Sequence, residues 1–357
     1  MISALAVRRT LSRALLRAVS AARRATPRVL PGLVAAGMLG MAAPPLGAQT
    51  SEQLAFAPYV PPTLPPGQAV RVAPPPQLGG TLRLPAGTAR APAVLILHGS
   101  GGVDGRGSMY AQALQAAGIA SLEIDMFTPR GVNRSNIETA RPRPIDVLPD
   151  VFGALHAVAR HPRVDAERLG VMGFSFGGLL SVMVATPAVG RTYAPGSPPV
   201  RGVMPLDPAC FVVQDGRPFA PMIGPAFPPI PMQMLVAGRD DYDADGGEGC
   251  RRLVGAGAPD AQRRASLHIY PDATHAWEGV QTGRFFDRQA AHGPGAHVQI
   301  QRHPSATNDS LQRAVAFFRD RLMAPQTRDP VCRGSRCVGP PDLSGPGAGA
   351  AAPTATR

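Results

Sequence analysis

The sequence predicts an α/β fold, a mostly parallel, doubly wound sheet with helices on both faces. Three observations predict it. Short apolar runs alternate with helical patterns between residues 80 and 324, and strands separated by helices require parallel crossovers. The runs are apolar at successive positions, as in APAVLILHG (91–99), which suits strands covered on both faces. Hydrophobic residues make up 44% of the 357-residue chain, enough for a buried core.

The elements follow in order. Residues 49–79 are a lead-in broken by proline clusters (YVPPTLPPGQ, VAPPPQ), suited to one or two edge strands because proline cannot donate in a central ladder. After the strand at 91–99, a helix from about Met109 to Ala117 is stopped by Gly118 and leads into the strand IASLEID (119–125). In IDVLPDVFGALHAVARHP, Val151, Leu155 and Val158 have helical spacing, ended before Pro162. RLGVMGF is the next strand, with FGGLLSVMVA the helix behind it. VRGVMPLDP, PMQMLVAGRDD and SLHIYPDATH read as further strands, and SLQRAVAFFRDRL as a closing helix. In such a sheet the loops at the carboxyl ends of the strands carry the site.

The ends of the chain differ from this core. Residues 1–48 hold seven arginines and no acid, then an apolar stretch and the small pair Gly47-Ala48, which reads as a secretory signal cut near Ala48. Prolines 31, 44 and 45 leave that stretch too short to span a membrane as a helix, so no stable membrane insertion is expected after cleavage. The tail, 325–357, is too poor in apolar residues to order itself. The leader accounts for seven of the +12 net charges and leaves +5. There is no lysine, and the arginines are scattered without a nucleic-acid-binding motif, so no nucleic-acid partner is expected. Oligomeric state is not readable. In an exported protein the four cysteines suggest two disulfides, Cys210 with Cys250 and Cys332 with Cys337. No clustered ligands suggest a metal, and no cofactor is implied.

Gly173-x-Ser175-x-Gly177 falls between a buried strand and a helix, the context of a nucleophile elbow. A serine hydroxyl there needs a base to take its proton, and the base needs an orienting acid. His275, in the loop after a strand and before the last helix, fits the chain order best. His268 lies in a strand, His156 and His161 belong to a helix and its end, and His292, His297 and His303 fall in an irregular polar stretch suited to the surface. Asp240 comes soonest after the strand in LVAGRDDYDAD and is the preferred acid; Asp241 is the alternative, with Asp243 and Asp245 assigned to solvent or helix caps. LHGSGG (97–102) offers close backbone approach, so the N–H groups of Ser100 and Phe176 are candidates for an oxyanion hole. Its glycines do not give the dinucleotide pattern G-x-G-x-x-G, because position 104 is aspartate. Met126, Phe127, Arg130 and Trp277 are candidates for the pocket wall, with ordinary packing the alternative.

Together LHGSGGVDGR, GIASLEIDMFTPRG, GVMGFSFGG, GRDDYDA and YPDATHAW resemble the dienelactone hydrolase family of the α/β-hydrolase superfamily, over about residues 80–324. The resemblance implies an α/β-hydrolase fold and the same three residues, Ser175, Asp240 and His275. Founding members use cysteine as nucleophile and an arginine four residues after the histidine; here those positions are Ser175 and Gly279. The expectation is an exported serine hydrolase acting on a small-molecule ester or lactone. An acyltransferase or peptidase on the same scaffold, or a non-catalytic envelope binding module, is the alternative.

Overall fold

The computed structural model describes residues 48–61, 73–87, 89–193, 195–213, 219–279, 281–324, 331–333 and 336–338. The expected leader and most of the expected tail lie outside the described residues. In the tail, Val331–Arg333 pairs antiparallel with Arg336–Val338, with Cys332 opposite Cys337; their side chains lie outside the described residues.

The main sheet has eight strands: β1 (Thr50–Phe56), β2 (Leu78–Leu84), β3 (Ala91–Leu97), β4 (Ala120–Asp125), β5 (Val164–Phe174), β6 (Val200–Leu206), β7 (Met232–Arg239) and β8 (Ala265–Thr274). Their spatial order is β1-β2-β4-β3-β5-β6-β7-β8. β1 and β2 are antiparallel, while β4-β3-β5-β6-β7-β8 run parallel. The lead-in thus supplies the edge strand β1, whose middle is exposed. The chain steps outward from β3 to β4 and then crosses back to β5 on the other side of β3. That reversal opens a crevice at the carboxyl ends of β3 and β5.

Both faces are covered, and the two-residue period of the strands divides the core accordingly. On β3, Ala93, Leu95 and Leu97 join one apolar cluster, which includes Val151, Leu155, Leu180 and Met183. Val94 and Ile96 join the other, with Tyr110, Leu114, Ala314 and Phe318. The helices behind these clusters are α1 (Gly105–Ala116), α2 (Leu148–Ala159), α3 (Phe176–Val184), α4 (Pro187–Tyr193), α5 (Glu248–Val254) and α6 (Pro304–Met323). α2 and α3 cover the first face, α1 and α6 the second.

Two expectations shift. α1 starts four residues before the expected Met109, because Asp104 caps it through a bond from the Arg106 N–H, 3.0 Å. Gly107, which argues against helix by propensity, lies where a Cβ would overlap the Glu123 carboxylate. The polar stretch after His275 is not irregular: Gly283–Asp287 and Ala296–Ile300 form an antiparallel hairpin, β9 and β10. Its three histidines have structural places. His297 lies on β10, His303 caps α6 by accepting from the Ala306 N–H, and His292 stacks on Phe211 at 5.3 Å.

Candidate active site

Ser175 sits in the turn from β5 to α3 with φ 52° and ψ −109°, a conformation sparsely populated by non-glycine residues. It persists because the flanks are locked. Ser175 N–H donates to Leu206 O on β6 at 2.8 Å, and Ser175 O accepts from Leu179 N–H at 2.8 Å. The glycines serve close approach: a Cβ on Gly173 would overlap the Gly177 backbone, and one on Gly177 would overlap the Leu97 carbonyl at the end of β3.

The three side chains named from sequence order meet. His275 Nε2 lies 2.9 Å from Ser175 Oγ, and His275 Nδ1 lies 2.7 Å from Asp240 Oδ2. A carboxylate accepts, so Nδ1–H donates and the neutral ring leaves Nε2 free to accept from the Ser175 hydroxyl. Asp240 is fixed in turn by the Tyr242 N–H, 2.7 Å from its other oxygen. Asp241 points elsewhere, accepting from the Gln299 N–H on β10 at 2.7 Å. His275 and Asp240 are both buried. Burial disfavours the imidazolium, but Asp240 and the more distant Asp207 outweigh it and hold the His275 pKa above its usual value.

Other parts of the loop network are structural. Asp243 is not solvated: it is buried and accepts from the N–H groups of Cys210 and Phe211, at 2.9 and 2.8 Å. Burial raises its pKa to about 6. Asp245 accepts from the Gly247 and Gly249 N–H groups at the start of α5. Cys210 and Cys250 form a disulfide that ties the segment after β6 to α5. Three ligand-type atoms of Asp207, Asp240 and His275 lie within 4.8 Å of one another, as do those of Cys210, Asp243 and Cys250. In the first set Asp240 and His275 bond each other and Asp207 accepts from backbone N–H groups, and the second has its sulfurs joined to each other.

Ser100 and Phe176 stand beside Ser175. Both line a cavity of about 310 Å³ that opens on it. Phe176 is the first residue of α3, so its N–H has no acceptor within the helix and is available to a ligand. The turn carrying Ser100 is closed by Gly102 N–H to Gly99 O, 3.1 Å.

The family model described as Dienelactone hydrolase family matches residues 78–198, from β2 past the elbow serine. Over that stretch, about a third of the chain, the sequence is similar to the dienelactone hydrolase family. A Bradyrhizobium sp relative, named a probable 2-oxo-3-(5-oxofuran-2-ylidene)propanoate lactonase, is 34% identical over 115 residues. That match covers 30% of this chain and 46% of the relative, so the chain spans about half the length of the curated relative it matches. Among solved structures, a provisionally named dienelactone hydrolase from Klebsiella pneumoniae subsp. pneumoniae MGH 78578 is similar with a TM-score of 0.50 and 15% identity, over 75% of this chain and 98% of that one. A chain called m3DLH gives a TM-score of 0.50 at 18% identity, over 77% and 100%. At such identities these two likenesses show the fold.

Within this α/β-hydrolase fold, the four expected wall residues do not line either cavity at Ser175. Met126 and Trp277 are fully buried in the core. The Trp277 indole packs on Tyr270 at 5.0 Å and faces Ser310, Nε1 to Oγ 3.5 Å. Arg130 is drawn inward by a two-pronged ion pair with Asp150, 2.5 and 3.0 Å. Phe127 lies one layer back, edge-on to the Phe176 ring at 5.4 Å. A loop position at a strand end was the signal for all four, and it does not tell inward from outward.

Two buried groups near the site were not anticipated. Asp207, at the end of β6 with φ 43°, accepts from the Ala237 and Ala276 N–H groups at 2.7 and 3.1 Å. It lies 3.8 Å from His275 Nδ1, and burial pushes its carboxyl well above the usual range. The rule that selected Asp240, an acid directly after a strand, also selects the Asp207 of VRGVMPLDP. His98 accepts from the Met126 N–H at 3.0 Å, so its Nδ1–H donates to Gly99 O at 2.8 Å. Burial lowers its pKa and keeps it neutral, and its two bonds pin the 99–102 turn to the end of β4.

Proposed function

We propose that this chain is an exported serine hydrolase that cleaves a carboxylic ester or lactone through an acyl-enzyme. The observation that carries the reading is the hydrogen-bonded chain Ser175–His275–Asp240, at 2.9 and 2.7 Å, on a strained turn at the crevice of the sheet. Ser175 Oγ attacks the substrate carbonyl carbon as His275 Nε2 takes its proton. The carbonyl oxygen becomes an oxyanion held by the N–H groups of Phe176 and Ser100. Collapse of this intermediate breaks the ester bond, and His275 delivers the proton to the leaving alcohol. Water, deprotonated by the same histidine, then attacks the acyl-enzyme and frees the acid. Asp240 holds the imidazole tautomer and stabilises the imidazolium. The name of the Bradyrhizobium relative supports a lactone among the esters to be tried.

The test is fluorophosphonate labelling of the folded protein with p-nitrophenyl acetate turnover. The expected result is one adduct, on Ser175, and a loss of about a thousandfold or more in Ser175→Ala. No adduct, or an unchanged rate in Ser175→Ala, overturns the reading.

A further inference from the structure

Two cavities meet at Ser175, and they differ in chemistry. One, of about 470 Å³, is lined by His275 and by charged side chains including Arg106, Arg134, Arg141 and Glu138. The other, of about 310 Å³, is walled mainly by Phe176, Leu179, Phe211, Val212 and Phe219, with Arg141, Arg143 and His292 also on its lining, and His275 does not line it. Ser100, Arg141, Ser175 and Tyr242 line both.

We propose that the apolar chamber takes the acyl half of the substrate and the charged chamber the alcohol half, so that the preferred substrate is an ester of an apolar acyl group of about six to ten carbons. The proposal rests on the reading that Ser175 is acylated. His275 Nε2 must reach the leaving oxygen to protonate it, so the alcohol departs through the chamber that His275 lines. The acyl carbon stays on Ser175 Oγ, its oxygen turned toward the Phe176 N–H. Its chain leaves that carbon in a third direction, away from both the oxyanion donors and the leaving oxygen, and the chamber that His275 does not line is the one left to it. At roughly 30 Å³ per water-sized group, this chamber holds on the order of ten heavy atoms. Its wall is preformed. Phe211 and Val212 follow Cys210, which is bonded to Cys250, while Asp243 holds the Cys210 and Phe211 N–H groups.

The test compares kcat/KM for p-nitrophenyl acetate, octanoate, 3-phenylpropanoate and hexadecanoate. A buried methylene is worth about three- to fourfold, so octanoate is expected to exceed acetate by at least tenfold and hexadecanoate to fall below octanoate. A gain shared by 3-phenylpropanoate marks an aromatic acyl group as accepted, and a gain for octanoate alone marks an aliphatic one; either supports the proposal. Val212→Trp, which fills the chamber, is expected to cut the octanoate-to-acetate ratio at least tenfold, and Phe219→Ala to move the optimum to longer chains. Ile137→Trp, in the charged chamber, should leave that ratio alone and instead reorder a series of acetates of different alcohols. A flat acyl profile in protein that is labelled on Ser175, or an acyl ratio that follows Ile137→Trp and ignores Val212→Trp and Phe219→Ala, overturns the assignment. Absence of labelling overturns the hydrolase reading instead.

Discussion

Asp240 and Asp241 are neighbours in sequence, yet they accept hydrogen bonds from different elements. Asp240 meets the imidazole of His275, whereas Asp241 takes the Gln299 N–H and so holds β10. The reading of Asp240 as the orienting acid therefore makes a paired prediction. Asp240→Asn loses about a thousandfold or more in turnover, because an amide cannot stabilise the imidazolium. Asp241→Asn keeps turnover within about tenfold, because its amide oxygen can still accept from Gln299. The pH profile separates the two further. The base must be neutral, so the rate climbs as pH rises through the His275 pKa. Although burial pulls that pKa down, Asp240 and Asp207 hold it above the ordinary histidine value. Removing the Asp240 charge lowers it, so the limb of Asp240→Asn moves to lower pH while its plateau falls. Profiles of p-nitrophenyl acetate turnover check this; an unmoved limb in Asp240→Asn, or a larger loss in Asp241→Asn, would count against the assignment.

At the scale of elements, the parallel strands were legible and the β9–β10 hairpin was not, for one physical reason. β3 is buried at every position, and such a run cannot be anything but interior. β9 has a single buried residue, Asp287, and β10 a single one, Val298. What docks the hairpin is distant in sequence: Val298 and Ala290 join Phe211 and Tyr242 in a small apolar cluster, and polar bonds add to it. The Tyr242 hydroxyl donates to Asp287 at 2.8 Å, and the Ala291 and His292 N–H groups donate to the Asp241 and Tyr242 carbonyls. Hydropathy patterns carry no trace of such bonds. The segment after β6 is held in a comparable way, by Asp243 and by the disulfide from Cys210 to Cys250, 40 residues apart. A cross-link of that span stabilises by about 3–4 kcal/mol through the unfolded chain. Cys250→Ser is therefore expected to lower the unfolding free energy by roughly that amount, read from urea titration. An unchanged midpoint would show that the bond contributes nothing to the stability of the fold.

Across the whole molecule, Ser175, Asp240 and His275 could be found because chain order and strand ends are one-dimensional signals, and the sheet converts them into proximity. The walls around them could not. Whether Phe127 or Phe176 faces a ligand depends on how loops from different crossovers stack, and Asp150 turns Arg130 away from the site by an ion pair across 20 residues. The composition of the chain bears on where these parts operate. Seven arginines and no acid in residues 1–48 followed by an apolar stretch fit a leader, and a disulfide joining two pocket-bearing segments fits an oxidising compartment. The proposal of export predicts that protein recovered outside the cytoplasm begins near Gln49, immediately before β1 at Thr50. It also predicts that this protein carries no titratable thiol at Cys210 or Cys250 without reductant. N-terminal sequencing and thiol counting of fractionated cells test both points. Recovery of the intact Met1 chain with both thiols free, in the cytoplasmic fraction alone, would refute export. It would leave the chemistry of Ser175 standing, because the hydrogen-bonded chain from Ser175 through His275 to Asp240 runs through neither cysteine.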